Sequence, residues 1–139
     1  MFSFVYDPKA DVLRISVEGL WGPEDVPPLH AALISAARRA SEICEDFNIL
    51  VESFDFPLQN DDVADALAGI AQTGMALTTG YAAIVVGSEE NYEQASRTLA
   101  HPRLSVFRTM EAAREWLSRQ RVLNRLTRLQ GGNVVGGEA

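Results

Sequence analysis

An α/β fold, with a mixed sheet of four to five strands and four flanking helices, is what this sequence predicts, and three observations predict it. Short β-branched runs alternate with stretches of three- and four-residue apolar periodicity in the order β-β-α-β-α-β-α-β-α. The run YAAIVVG at 81–87 is nearly continuous and apolar, as in a strand buried on both faces. The segments between the later strands are long enough for right-handed crossovers, which make those strands parallel.

Residues 3–6 and 12–18 read as an N-terminal β-hairpin joined by Asp7-Pro8-Lys9-Ala10-Asp11, five residues rich in turn formers. Gly22-Pro23 breaks the chain, and Pro27-Pro28 suits a helix start, where the missing N–H groups have no intrahelical acceptor to serve. The helix that follows carries Leu29, Leu33, Ala36, Ala37, Ala40, Ile43 and Cys44 on one stripe, with Arg38, Arg39 and Glu42 outside it. Its alanines imply close packing on the sheet. FNILVESFDF at 47–56 is a central strand that Pro57 ends.

Asn60 or Asp61 caps a second helix whose stripe is Val63, Leu67, Ile70, Gly74 and Leu77, and Gly80 closes it. Ser88 opens a third helix that runs to His101-Pro102, with Glu89 and Glu90 in its first turn, where they complement the helix dipole. Residues 104–108 form the last strand, and Thr109 caps the last helix. In the sheet, residues 49–54, 82–86 and 104–107 are expected as parallel neighbours, with residues 12–18 antiparallel at one side.

The chain of 139 residues has room for one core at ~100–200 residues per domain. Charge is distributed unevenly. Residues 1–96 hold 4 basic and 16 acidic side chains and residues 97–139 hold 8 and 3, so nets of −12 and +5 lie within the total of −7. A body so acidic repels phosphate backbones, which argues against nucleic acid as a partner. No apolar run approaches the ~20 residues of a membrane span, and MFSFVYDPKADVL lacks the basic start and apolar stretch of a signal peptide, so a cytoplasmic protein is expected. The single cysteine, Cys44, offers no internal disulfide and no Cys-rich zinc site.

The element order, the stretch NILVESFDFPLQNDDVADAL, the strand YAAIVVGS running directly into an acidic helix, and the ending VFRTMEAAREWL together resemble the SpoIIAA-like family of small bacterial proteins. That family is related in fold to STAS domains, the anti-sigma factor antagonists, and more distantly to the CRAL-TRIO lipid-binding fold. The resemblance covers residues 2–118. It implies a domain at 1–118, followed by an amphipathic helical extension at 119–130 and a flexible tail at 131–139.

Members of the family range from phosphorylation-controlled binding proteins to proteins of unassigned function. In antagonists the phosphorylated serine lies between the third strand and the second helix. The matching stretch here, Asp55-Phe56-Pro57-Leu58-Gln59-Asn60-Asp61-Asp62, has no hydroxyl side chain, and Ser53 lies inside the strand. With Asp61, Asp62 and Asp65 already at the helix N-terminus, a phosphate would be repelled, so no phospho-switch is expected.

The sequence offers little chemistry. His30 and His101 lack ligand-like neighbours, so no metal is expected. Cys44 lies on an apolar stripe with no histidine at a pairing distance along the chain. Neither GxGxxG nor GxxxxGK[ST] occurs, so no nucleotide cofactor is expected. Trp21 and Trp116 read as packing anchors. No catalytic residue is assigned.

Two surfaces remain. Asp55, Gln59, Asn60, Asp61 and Asp62 stand at the C-terminal end of a parallel strand, the edge where open α/β sheets bind ligands, and are the candidate ligand or partner contacts. On the last helix Val122, Leu123, Leu126 and Leu129 are displaced by about a third of a turn from Ala112, Ala113, Trp116 and Leu117, while Arg114, Arg121, Arg125 and Arg128 line another side. A homodimer contact through Val122, Leu126 and Leu129 is expected there. The reading that follows is a non-enzymatic, regulatory module that binds a protein or a small apolar ligand. The alternative is an enzyme or small-molecule carrier that uses loop 55–62.

Overall fold

The computed structural model describes residues 1–138; of the side chains, Arg128, Gln130 and residues 131–139 lie outside the described residues. The strands are β1 (Phe2–Asp7), β2 (Val12–Val17), β3 (Asn48–Ser53), β4 (Ala82–Val86) and β5 (Leu104–Phe107). The helices are α1 (Val26–Ile43), α2 (Asp61–Ala76), α3 (Glu89–Thr98) and α4 (Met110–Glu138), with a 3-10 turn at Pro23–Asp25. The α/β class, the five-stranded mixed sheet and the four helices agree with the sequence pattern.

The caps explain most of the boundaries. Asp7 Oδ1 accepts from the N–H groups of Lys9 (3.0 Å) and Ala10 (3.4 Å), and Asp11 takes φ +53°, which closes the hairpin turn. Ser88 Oγ accepts from Asn91 N (3.1 Å) and Thr109 Oγ1 from Ala112 N (3.2 Å), satisfying N–H groups that have no partner within the first helical turn. At α2 the N-cap position belongs to Asn60, but its side chain makes no capping bond; Asp62 Oδ1 accepts from Val63 N (2.9 Å) instead.

The sheet order is β1-β2-β3-β4-β5. β1 pairs antiparallel with β2, and every later pair is parallel. This corrects the expectation that residues 12–18 run antiparallel to the central strands: β2 is parallel to β3, and the antiparallel edge is β1 alone. The reason is the length of α1. Its 18 residues carry the chain back over the sheet, so the unit β2-α1-β3 is itself a crossover.

Because the order never reverses, right-handed crossovers put α1, α2 and α3 on one face. Leu13, Ile15, Ile49 and Ala82 of the strands meet Leu29, Leu33, Val63, Ile70 and Met75 of α1 and α2 there. Ile84 and Val86 meet Ala95 of α3 on the same side. The alternate residues Leu50, Ala83 and Val85 face the other way, against Ala113 and Leu117 of α4. Trp21 and Trp116 are packing anchors, Trp21 between Phe2 and Phe56 and Trp116 between Tyr81 and Phe107.

Two arginines hold the N-terminal ends of the parallel strands. Arg103 gives its guanidinium to the carbonyls of Met75 (2.8 Å), Thr78 (3.0 Å) and Gly80, capping the C-terminal end of α2. Gly80 is required by close approach: a Cβ there would run into the carbonyl oxygens of Phe47 and Asp46. Arg121 of α4 donates to the carbonyls of Asp46 (3.0 Å) and Asp11 (3.3 Å) and lies 3.7 and 3.9 Å from their carboxylates. Asn124 Nδ2 adds a bond to Asp46 Oδ2 at 3.3 Å.

These contacts fasten residues 121–124 to the body, so the chain shows no structural break at 118–119. α4 also continues past residue 130, where its end was expected. The side chains of the expected tail, 131–139, lie outside the described residues. Cys44 is half-buried, and its thiol donates to Asp46 Oδ1 at 3.0 Å.

Candidate functional site

Between the sheet and the layer of α1, α2 and α3 lies an apolar cavity of about 160 Å³. Its floor includes Ile15, Val51 and Ile84, which stand in register across β2, β3 and β4. Its roof is built from Leu33 of α1, Ile70 and Gly74 of α2, and Ala95 of α3. Val51 is at the centre of the sheet, on the helix-covered face, yet it is only half-buried. Solvent therefore reaches the floor.

The cavity arises because several roof residues are small. Ala64, Ala71, Gly74 and Ala95 all line it, and a Cβ placed on Gly74 would lie 3.4 Å from Leu33 and 3.9 Å from Ile49, in ordinary contact. The helices cannot close the gap by sinking further, because bulky residues such as Leu29, Leu33 and Val63 already rest on the sheet.

One end of the cavity is polar but neutral. Gln59 is 5% exposed; its Oε1 accepts from Trp21 N (2.9 Å) and its Nε2 donates to Pro57 O (2.6 Å) and Gly19 O (3.3 Å). Gln94 Nε2 donates to Gln59 O (3.2 Å), and Asn91 Nδ2 to Phe56 O (2.8 Å). These amides tie loop 54–60 to α3 and to the segment before α1. No lining residue is charged, and the two hydroxyls that line the cavity, of Ser53 and Thr98, donate to the main-chain carbonyls of Val85 (2.6 Å) and Gln94 (2.8 Å), so this arrangement can bind and orient a neutral molecule.

The five residues selected from the sequence separate in space. Gln59 is the one that reaches the cavity. Asp55, Asn60, Asp61 and Asp62 are exposed on the outside, the aspartates 61 and 62 in the first turn of α2. The edge rule that singled out this loop depends on a reversal of strand order, which this sheet lacks. On α4, Val122, Leu126 and Leu129 are 58%, 52% and 66% exposed.

The remaining ionisable cluster lies at the opposite edge of the sheet. Tyr6 OH donates to Asp11 Oδ1 at 2.9 Å; burial first, then that bond and the Asp11 charge, hold the phenol far above its ordinary pKa, so it stays a donor. The cluster's other groups are occupied in fastening α4. Among the described residues no group of three His, Cys, Asp or Glu side chains is placed to hold a metal ion, and no helix is long and apolar enough to cross a membrane.

Ser53, the hydroxyl nearest to loop 55–62, is 5% exposed and donates to Val85 O at 2.6 Å. Incubation with an STAS-type serine kinase should leave residues 53–65 unmodified by peptide mass mapping, since the hydroxyl is sealed between two strands. Phosphate on Ser53 in folded protein would show that β3 opens there.

No family model matches the chain, and no curated protein matches it.

Proposed function

We propose that this chain is a SpoIIAA-like, STAS-type cytoplasmic module that binds a small apolar ligand and performs no chemistry on it. The observation that carries this reading is the cavity over Val51: an accessible apolar space above the central strand of the sheet. Apolar cavities of ~150 Å³ take up a benzene-sized molecule, so a space of about 160 Å³ suits one aromatic ring or a short alkyl segment. The alternative, an enzyme or carrier working at loop 55–62, has weaker support, because the carboxylates of that loop face outward and away from the cavity.

Toluene tests the reading. At saturation it should raise the unfolding temperature of the native chain, as any ligand of the folded state does. Ala64→Leu, which places a larger side chain in the cavity, should raise the temperature of the free protein and abolish the response to toluene. A native chain indifferent to toluene would end the apolar-ligand reading.

A second proposal concerns α4. At 100° per residue, the stripe of Val122, Leu123, Leu126 and Leu129 lies about half a turn from Arg121 and Asn124. Those two polar anchors fix the helix rotation, so the stripe cannot turn inward. We propose that it contacts a second copy, with Arg119 and Arg125 beside it meeting the acidic body of the partner. Sedimentation should show a dimer that Leu126→Glu converts to monomer without lowering monomer stability. Identical sedimentation of both proteins would remove the proposal.

A further inference from the structure

We infer that the cavity selects neutral molecules carrying at most an uncharged hydrogen-bonding group, and rejects their carboxylate analogues. The inference rests on the apolar-ligand reading and names the ligand class for the same site.

Three features lead to it. First, no Asp, Glu, Lys, Arg or His lines the cavity. A carboxylate entering it would give up its hydration with no counter-ion in exchange. Second, the polar end is made of amides whose donors are directed at main-chain carbonyls: Gln59 to Pro57 and Gly19, Gln94 to Gln59, and Asn91 to Phe56. Asn91 Oδ1 retains acceptor capacity among the described residues, which suits a ligand that donates, such as a hydroxyl or an amide N–H.

Third, the surrounding wall repels anions. Residues 40–96, which include β3, α2, β4 and the first eight residues of α3, contain no lysine, arginine or histidine, and the one basic residue of α3, Arg97, is exposed in its last turn and does not line the cavity. The N-terminal turns of α2 and α3 point their dipoles toward the amide end, and each is already compensated by exposed acids, Asp61, Asp62 and Asp65 on one and Glu89, Glu90 and Glu93 on the other. The attraction a helix N-terminus normally offers a carboxylate is thereby cancelled. Long-range steering acts in the same direction, since an acidic surface lowers the local concentration of anions.

The test uses the full chain at neutral pH and four probes of similar size: toluene, benzyl alcohol, benzamide and benzoate. Binding is followed by the methyl NMR shifts of Ile49 and Ile84, two cavity residues, with Ala64→Leu as the blocked control. Toluene, benzyl alcohol and benzamide should each shift these methyls, and benzoate should bind at least tenfold more weakly than benzamide, its neutral isostere. Benzoate within a factor of two of benzamide would overturn the charge selection while leaving the apolar-ligand reading intact. Silence from all four, toluene included, would overturn that reading and this inference with it.

Discussion

Replacing Arg121 with methionine should lower the unfolding free energy by about 3 kcal/mol, the cost of removing one partner from a buried charged cluster. The guanidinium is 12% exposed and Asp46 is 10% exposed, so solvent screens the pair weakly. The loss is placed at the low end of the range because the carboxylate distances are long, 3.7 and 3.9 Å. Asp46 keeps its bonds from Cys44 and Asn124 but loses the Arg121 guanidinium. Urea denaturation measures the change, and Asn124→Ala, which removes a single side-chain bond, should cost about 1 kcal/mol in the same assay. A loss below about 1 kcal/mol for Arg121→Met would mean that Ala113 and Leu117 alone hold α4 on the sheet. Toluene affinity should stay unchanged in either case, since the cluster and the cavity are on different sides of the fold.

Arg103→Met should be comparably damaging, about 3 kcal/mol, for a different reason. Three main-chain carbonyls, of Met75, Thr78 and Gly80, converge on one guanidinium at the end of α2. Hydrogen bonds to a charged group contribute ~1.5–3 kcal/mol each, and the carbonyls left behind are partly reached by water, so the sum is discounted to about that of one or two bonds. Lysine should restore less than half of the loss, because a single ammonium cannot span the fork of acceptors that a planar guanidinium meets. Full recovery with Arg103→Lys would show that charge near the α2 terminus matters and geometry does not.

Much of the architecture was legible in the sequence because it depends on local signals. YAAIVVG declares a strand buried on both sides, and Thr109 and Ser88 declare helix starts, whereas the strand expected to run up to Pro57 ends at Ser53, where the chain turns. Strand direction is another matter. The alternation in residues 12–17 marks a strand but not its neighbour; a hairpin partner and a crossover partner leave the same local pattern, and β2 has both. Arg103 and Arg121 were similarly opaque. Each is an unremarkable basic residue in its segment, and its role depends on carbonyls 23 or more residues away along the chain.

The cavity left the faintest trace. A pattern of apolar positions records which side chains face inward and says little about whether their volumes fill the space. The stripe Val63, Leu67, Ile70, Gly74 and Leu77 marks one face of α2, of which Val63, Ile70 and Gly74 are buried, and the alanines beside it are as compatible with tight packing as with a gap. Only the positions of α2 and α3 over Val51 show that their small residues leave room. Gln59 was found for its place at a strand edge, whereas its importance comes from being buried at the cavity's amide end.

The one-way winding of the sheet has a consequence for ligand exchange rates. The cavity has hydrogen-bonded strands beneath it and a single layer of helices above, and α3 buries the least of that layer, with Ala95 its one buried residue, while Asn91 and Gln94 bond it to loop 54–60. Lifting α3 breaks its packing on Ile84 and Val86 and the Asn91 and Gln94 bonds but no sheet hydrogen bonds, so the helix opens at a lower free energy than the floor. Arrival and departure share that opening. Loosening α3 therefore speeds both by a similar factor and leaves the equilibrium constant near its original value, while changes to the floor act on residence time and affinity together.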